Sequence, residues 1–89
     1  MVKIHLCPGL FGKVTIVNAE TKEELWQGKS GVIAEIDVTG TVPIEIIWGI
    51  LQTPNVKENV TEGEEYELIF RMTTFKSEYY LVKWEDENE

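Results

Sequence analysis

The sequence predicts an all-β protein, a single antiparallel β-sandwich of seven to eight short strands, and three observations carry that prediction. Apolar residues recur with period 2 along most of the chain, whereas no segment completes two turns of an amphipathic helix. Glycine and proline turns interrupt these runs at intervals of about ten residues, the spacing of a sandwich or small barrel. The 89 residues, 43% of them hydrophobic, provide for one domain whose core suffices without a staple.

The first strand, 2–7, alternates Val2, Ile4 and Leu6 with Lys3, His5 and Cys7, and Pro8-Gly9 turns the chain. Leu10 and Phe11 are too apolar to be left in water and are expected to fold over one end of the core. In the strand 13–18, Val14 and Ile16 face one way and Thr15 and Val17 the other. A polar run over 19–23 leads into a short strand, 24–27, carrying Leu25 and Trp26. After the two glycines of the 28–31 turn comes the clearest alternation, Val32, Ala34, Ile36 and Val38 against Glu35 and Asp37, in a strand over 31–38.

The turn Thr39-Gly40-Thr41 introduces a stripe of Val42, Ile44, Ile46, Trp48 and Ile50, with a strand over 42–48 and Pro43 near its start, where a missing donor is tolerated. A loop through Thr53-Pro54-Asn55 reaches a weak strand, 56–60, and a Glu62-Gly63 turn. Two stronger strands follow. Over 65–74, Tyr66, Leu68, Phe70 and Met72 alternate with Glu65, Glu67 and Arg71; over 78–85, Tyr80, Val82 and Trp84 alternate with Tyr79, Leu81 and Lys83. The even-numbered stripes are therefore the expected core, including Val14, Ile16, Ala34, Ile36, Ile44, Ile46, Leu68, Phe70, Val82 and Trp84. The domain is expected to run over 1–84, with 85–89 as a mobile acidic tail.

Sixteen acidic against eight basic residues give a net charge of −8, which repels a phosphate backbone and argues against nucleic acid as a partner. The acids gather in 20–24, 58–67 and 86–89, a pattern of solvated turns and a solvated tail. The longest apolar stretch, 46–51, is far short of the ~20 residues that span a bilayer, so no membrane insertion is expected. With no targeting segment visible, the expected location is cytoplasmic. One cysteine excludes an intrachain disulfide framework and any structural zinc site built on cysteines, and no cofactor is implied.

Residues 12–74 carry a recognisable order. Gly12-Lys13-Val14-Thr15-Ile16-Val17-Asn18 leads to Thr21-Lys22-Glu23-Glu24-Leu25-Trp26-Gln27-Gly28-Lys29-Ser30-Gly31, then the 32–38 strand and Gly40-Thr41-Val42-Pro43-Ile44-Glu45-Ile46. This succession of strand, polar hairpin, glycine turn, alternating strand, glycine turn and outgoing strand resembles the PEGA and carboxypeptidase-regulatory-like β-sandwich modules. The chain lacks a Pro-Glu-Gly-Ala tetrapeptide. The resemblance implies a non-catalytic accessory module used for binding or spacing, and transfers no catalytic residue.

The residues capable of chemistry have plainer roles. His5 and Cys7 share a face of one strand, but nearly 7 Å separates Cα atoms at that spacing and no third group orients them. No Asp-rich calcium loop or His-x-His spacing supports a metal site. Glu35, Asp37 and Glu45 fall at outward positions, where water keeps carboxylates ordinary. Asn59-Val60-Thr61 matches a glycosylation acceptor, a short pattern that chance often supplies. The glycines precede strands, which excludes a phosphate-binding loop at a helix start.

Two groups of residues point to binding. Val17, Ile33, Ile47, Ile69 and Leu81 each interrupt the polar register of a different strand, and together are expected to form a protein-contact face centred on Ile47 and Ile33. Trp26 and Tyr79 are the candidates for exposed aromatic platforms, as in a carbohydrate-binding or small-ligand module. The expected function is a non-catalytic interaction module that binds a protein partner or forms a homo-oligomer, with the aromatic ligand module as the alternative.

Overall fold

Period-2 alternation becomes eight strands in the computed structural model, which describes residues 1–10, 12–49, 54–72, 74–75 and 77–84. They are β1 (Val2–His5), β2 (Val14–Asn18), β3 (Glu24–Gly28), β4 (Ile33–Ile36), β5 (Thr41–Ile47), β6 (Pro54–Thr61), β7 (Glu65–Met72) and β8 (Ser77–Lys83). There is no helix among the described residues. The segment read as a weak strand is one of the two longest: β6 pairs with β5 from Thr41↔Thr61 to Ile47↔Pro54. The expected tail, 85–89, lies outside the described residues, as do Phe11 and Ile50.

The strands form two four-stranded sheets, β4-β1-β7-β8 and β3-β2-β5-β6. The second is antiparallel throughout. The first is mixed, which corrects the expectation of a wholly antiparallel fold: β1 runs parallel to β7, pairing Lys3↔Glu65, Ile4↔Tyr66 and His5↔Glu67. A parallel neighbour needs a long crossover, and here all of β2–β6 intervenes between the two strands.

One apolar core serves both sheets. Val2 and Ile4 of β1, Ala34 and Ile36 of β4, and Leu68 of β7 are buried together with Val14 and Ile16 of β2, Ile44 and Ile46 of β5, and Val56 and Val60 of β6. Leu6, Leu10, Val38 and Trp48 close it from segments beside the strands, so the loop residue Leu10 is core. Where β4 lies beside β3 and β8 beside β6, the two sheets approach at both flanks.

At one end the turns lock together. Gly40 holds φ at 71°, a left-handed value that glycine adopts without steric cost; its N–H donates to Glu62 Oε1 at 3.2 Å, while the Glu62 N–H donates to the Gly40 carbonyl at 2.9 Å. The β2–β3 pairing carries a bulge after Ile16↔Trp26, leaving Leu25 as the extra residue, and both Leu25 and Trp26 pack on the core.

The expected core needs three corrections, all from β7 onward. Leu68 faces the interior and pairs with Leu81, so the odd-numbered residues of β8 face inward and its even-numbered residues face out. Val82 is accordingly half-buried and Trp84 is 38% exposed. Phe70 shares the inward side of β7 with Leu68 but lies past the end of the core, where it is 44% exposed and packs against Tyr79, ring centroids 4.7 Å apart.

Candidate functional site

The outer side of β4-β1-β7-β8 brings together Ile33, His5, Glu65, Ile69 and Trp84. Strand register sets them in rows. Ile33, His5, Glu67 and Val82 lie across the four strands in one row; Glu35, Lys3 and Glu65 form the next, continued by Trp84, whose N–H donates to the Glu65 carbonyl at 2.9 Å. Beyond them Ile69 pairs with Tyr80, and the Arg71 guanidinium lies 5.4 Å from the Tyr80 ring centroid.

His5 of β1 is held by Glu65 of β7 and by Trp84, the residue after β8. Its imidazole stacks on the Trp84 indole with centroids 3.8 Å apart and planes 1° from parallel, and its Nε2 is hydrogen-bonded to the Glu65 carboxylate. Lys83 Nζ meets Glu64 Oε1 at 3.0 Å, and the hydrogen bond that the ammonium donates to this carboxylate holds its pKa above the ordinary value. Cys7 follows β1, half-buried against the rim of the core. Burial pushes its thiol pKa up, the Glu67 charge adds to that shift, and a backbone hydrogen bond opposes it. The His5–Cys7 pair therefore consists of an imidazole bound elsewhere and a thiol held in its neutral, poorly nucleophilic form. Among the described residues no group of three His, Cys, Asp or Glu side chains is placed to hold a metal ion.

The other sheet contains a group that the sequence placed in water. Glu45 occupies an outward position, beside Val17 on one side and Lys57 on the other, yet it is 4% exposed. Lys22 Nζ reaches both its oxygens, at 3.2 and 3.3 Å, and Lys57 Nζ lies 3.7 Å away. The β2–β3 turn delivers Lys22: the Asn18 side-chain oxygen accepts from the N–H groups of Glu20 and Thr21, and Lys22 itself takes φ 67°. No alternation pattern announces such a group, because the two lysines come from segments far from Glu45 in sequence.

The five candidate contact aliphatics do not share one surface. Val17 and Ile47 belong to β3-β2-β5-β6, both half-buried at outward positions. Ile33, half exposed, and Ile69 lie on the outer side of β4-β1-β7-β8, whereas Leu81 turns inward and packs on the core. Ile33 and Ile47, the expected centre, are thus in different sheets. Trp26 and Tyr79 are separated likewise, in β3 and β8, and each is half-buried against the core. Tyr79 also meets Trp48 edge-on at 4.8 Å, so the two candidates form no common platform. Asn59 is exposed on β6 opposite Pro43.

Among the described residues no helix is long and apolar enough to cross a membrane. Comparison with protein-family models, curated proteins and solved structures found no match to the chain.

Proposed function

We propose that this chain is a non-catalytic β-sandwich interaction module, PEGA-like in its order of strands and glycine turns, that associates with a second copy through the outer side of β4-β1-β7-β8. Support for the sandwich comes from the single core between the sheets and from their approach at both flanks. Support for a role without catalysis comes from the raised thiol of Cys7 and the engagement of His5 by Glu65 and Trp84.

One observation carries the contact reading: outward positions that an isolated sheet gives to polar side chains hold Ile33, Ile69, Val82 and Trp84, with Ile33 50% and Trp84 38% exposed. A second copy is the occupant because this face is electrically mixed. Lys3 lies between Glu35 and Glu65, and Arg71 stands opposite Glu78, so the face carries both signs of charge and a two-fold contact can set cations of one copy against carboxylates of the other. The net charge of −8 is spread over the chain, and exposed charges beyond about 8 Å are largely screened at physiological salt.

Light scattering on the wild type and on Ile33→Glu tests this reading. The wild type has a mass above the monomer and the variant returns to it, because a charge in the contact is desolvated without a partner. A wild type that stays monomeric at high concentration overturns self-association.

A further inference from the structure

The chain has one histidine, and imidazole is the side chain that gains a charge between about pH 5 and 8. His5 stands within the face assigned to self-association, and register fixes its neighbours. Across to β4 it faces Ile33, with Glu35 in the next row. Across to β7 it faces Glu67, with Glu65 in the next row and hydrogen-bonded to its Nε2. Along its own segment, Lys3 lies two residues before it and Cys7 two residues after, where the Glu67 charge reaches the thiol. Beyond β7, Val82 is apolar, the Trp84 indole covers one face of the imidazole, and the Lys83 ammonium is engaged by Glu64. The row of His5 and the row beside it thus hold three carboxylates, Glu35, Glu65 and Glu67, and one ammonium, Lys3. Two rows away on β7, Arg71 stands opposite Glu78.

Contact with a second copy separates the two protonation states of the ring. The His5 side chain is only 20% exposed in the single chain, whereas the Glu65 side chain is 36% exposed, so a partner laid on this face removes water chiefly from the carboxylate. With a neutral imidazole, Glu65 enters the contact against an uncharged donor, beside a lysine that also stands next to Glu35. Both copies bring the same excess of carboxylates, and an ion that loses water without a counter-charge opposes association. A proton on His5 makes the bond to Glu65 a charge-assisted one and sets a cation against the Trp84 ring face. Little further desolvation of the imidazolium is needed, because most of the ring is out of water before any partner arrives.

Given association through this face, we infer that it is proton-linked: each copy takes up a proton on His5 as the contact forms. The state that binds more protons gains as the pH falls, so mildly acidic solution tightens the association and alkaline solution loosens it.

Sedimentation equilibrium of the full chain at about pH 5.5 and about pH 8, with His5→Gln beside the wild type, tests this. The wild type associates roughly fivefold or more tightly at the lower pH, and His5→Gln, whose amide is uncharged at both, loses most of that ratio. Any protonation of carboxylates at the lower pH is common to both proteins and cancels in the comparison. Proton release gives a second reading without a substitution: dilution of the wild type in weak buffer at about pH 6.5 sets protons free as the copies separate. A wild type that associates equally at both pH values, a His5→Gln chain that keeps the full ratio, or a dilution that frees no protons overturns the inference and leaves self-association standing. A wild type that is monomeric at both pH values overturns self-association and the proton linkage with it.

Discussion

Individual side chains tie the outer face together, and His5 is the clearest case. Its ring contributes a parallel stack on Trp84 and a hydrogen bond to Glu65, in a site that is only partly buried. Replacing it by alanine is expected to lower stability by about 0.5–1.5 kcal/mol, the range of an aromatic pair, measured as a shift in the urea midpoint. Gly28 is constrained by a neighbour: a Cβ placed there lies 2.6 Å from the Trp26 indole. Gly28→Ala is expected to cost about 1–3 kcal/mol as the ring is displaced, and the cost shrinks when Trp26 is replaced by leucine, a coupling that a double-mutant cycle reads directly. Cys7 gives a pH signature. Because burial raises its thiol pKa in the folded chain, its contribution to stability is present below the ordinary thiol pKa and is lost as the pH rises through the folded value. Alkylation by iodoacetamide near neutral pH should accordingly be slower in the folded chain than in urea; equal rates contradict the buried, neutral thiol.

At the scale of strands, sequence located all eight within a few residues, and failed where alternation carried no sign of which face is inward. β8 has apolar or aromatic side chains at both parities, Tyr79 and Leu81 as well as Tyr80 and Val82, so sequence leaves its inward face undecided. Pairing decides it, through Leu68↔Leu81. The parallel β1–β7 contact was illegible for a related reason, since period 2 shows that a segment is extended and says nothing about its neighbour's direction. Buried Glu45 was missed because its partners, Lys22 and Lys57, are set by a turn and by register. The revised position of Phe70 changes an energetic expectation: Phe70→Ala should cost well under the ~3–5 kcal/mol of a buried phenylalanine, while Leu68→Ala, 1% exposed, should cost about 2–5 kcal/mol. Denaturant melts that rank Phe70 above Leu68 contradict this placement. The β7–β8 hairpin also leaves the core at that end, so the hydrogen-bonded pair Arg71/Glu78 should exchange its amide protons faster than Glu67/Val82.

Over the whole molecule, an acidic chain presents apolar side chains outward from both sheets while keeping one buried core. The alternation put these four aliphatics outward but wrongly put Leu81 with them, and the division between Ile33 and Ile69 on one sheet and Val17 and Ile47 on the other required the topology. That division singles out the outer side of β4-β1-β7-β8, where Val82 and Trp84 join the first pair. Nuclear magnetic resonance spectra recorded over a dilution series test this most directly. Association through that face moves the signals of Ile33, Ile69, Val82 and Trp84 with concentration and leaves those of Val17 and Ile47 in place; spectra independent of concentration, or changes confined to Val17 and Ile47, contradict it.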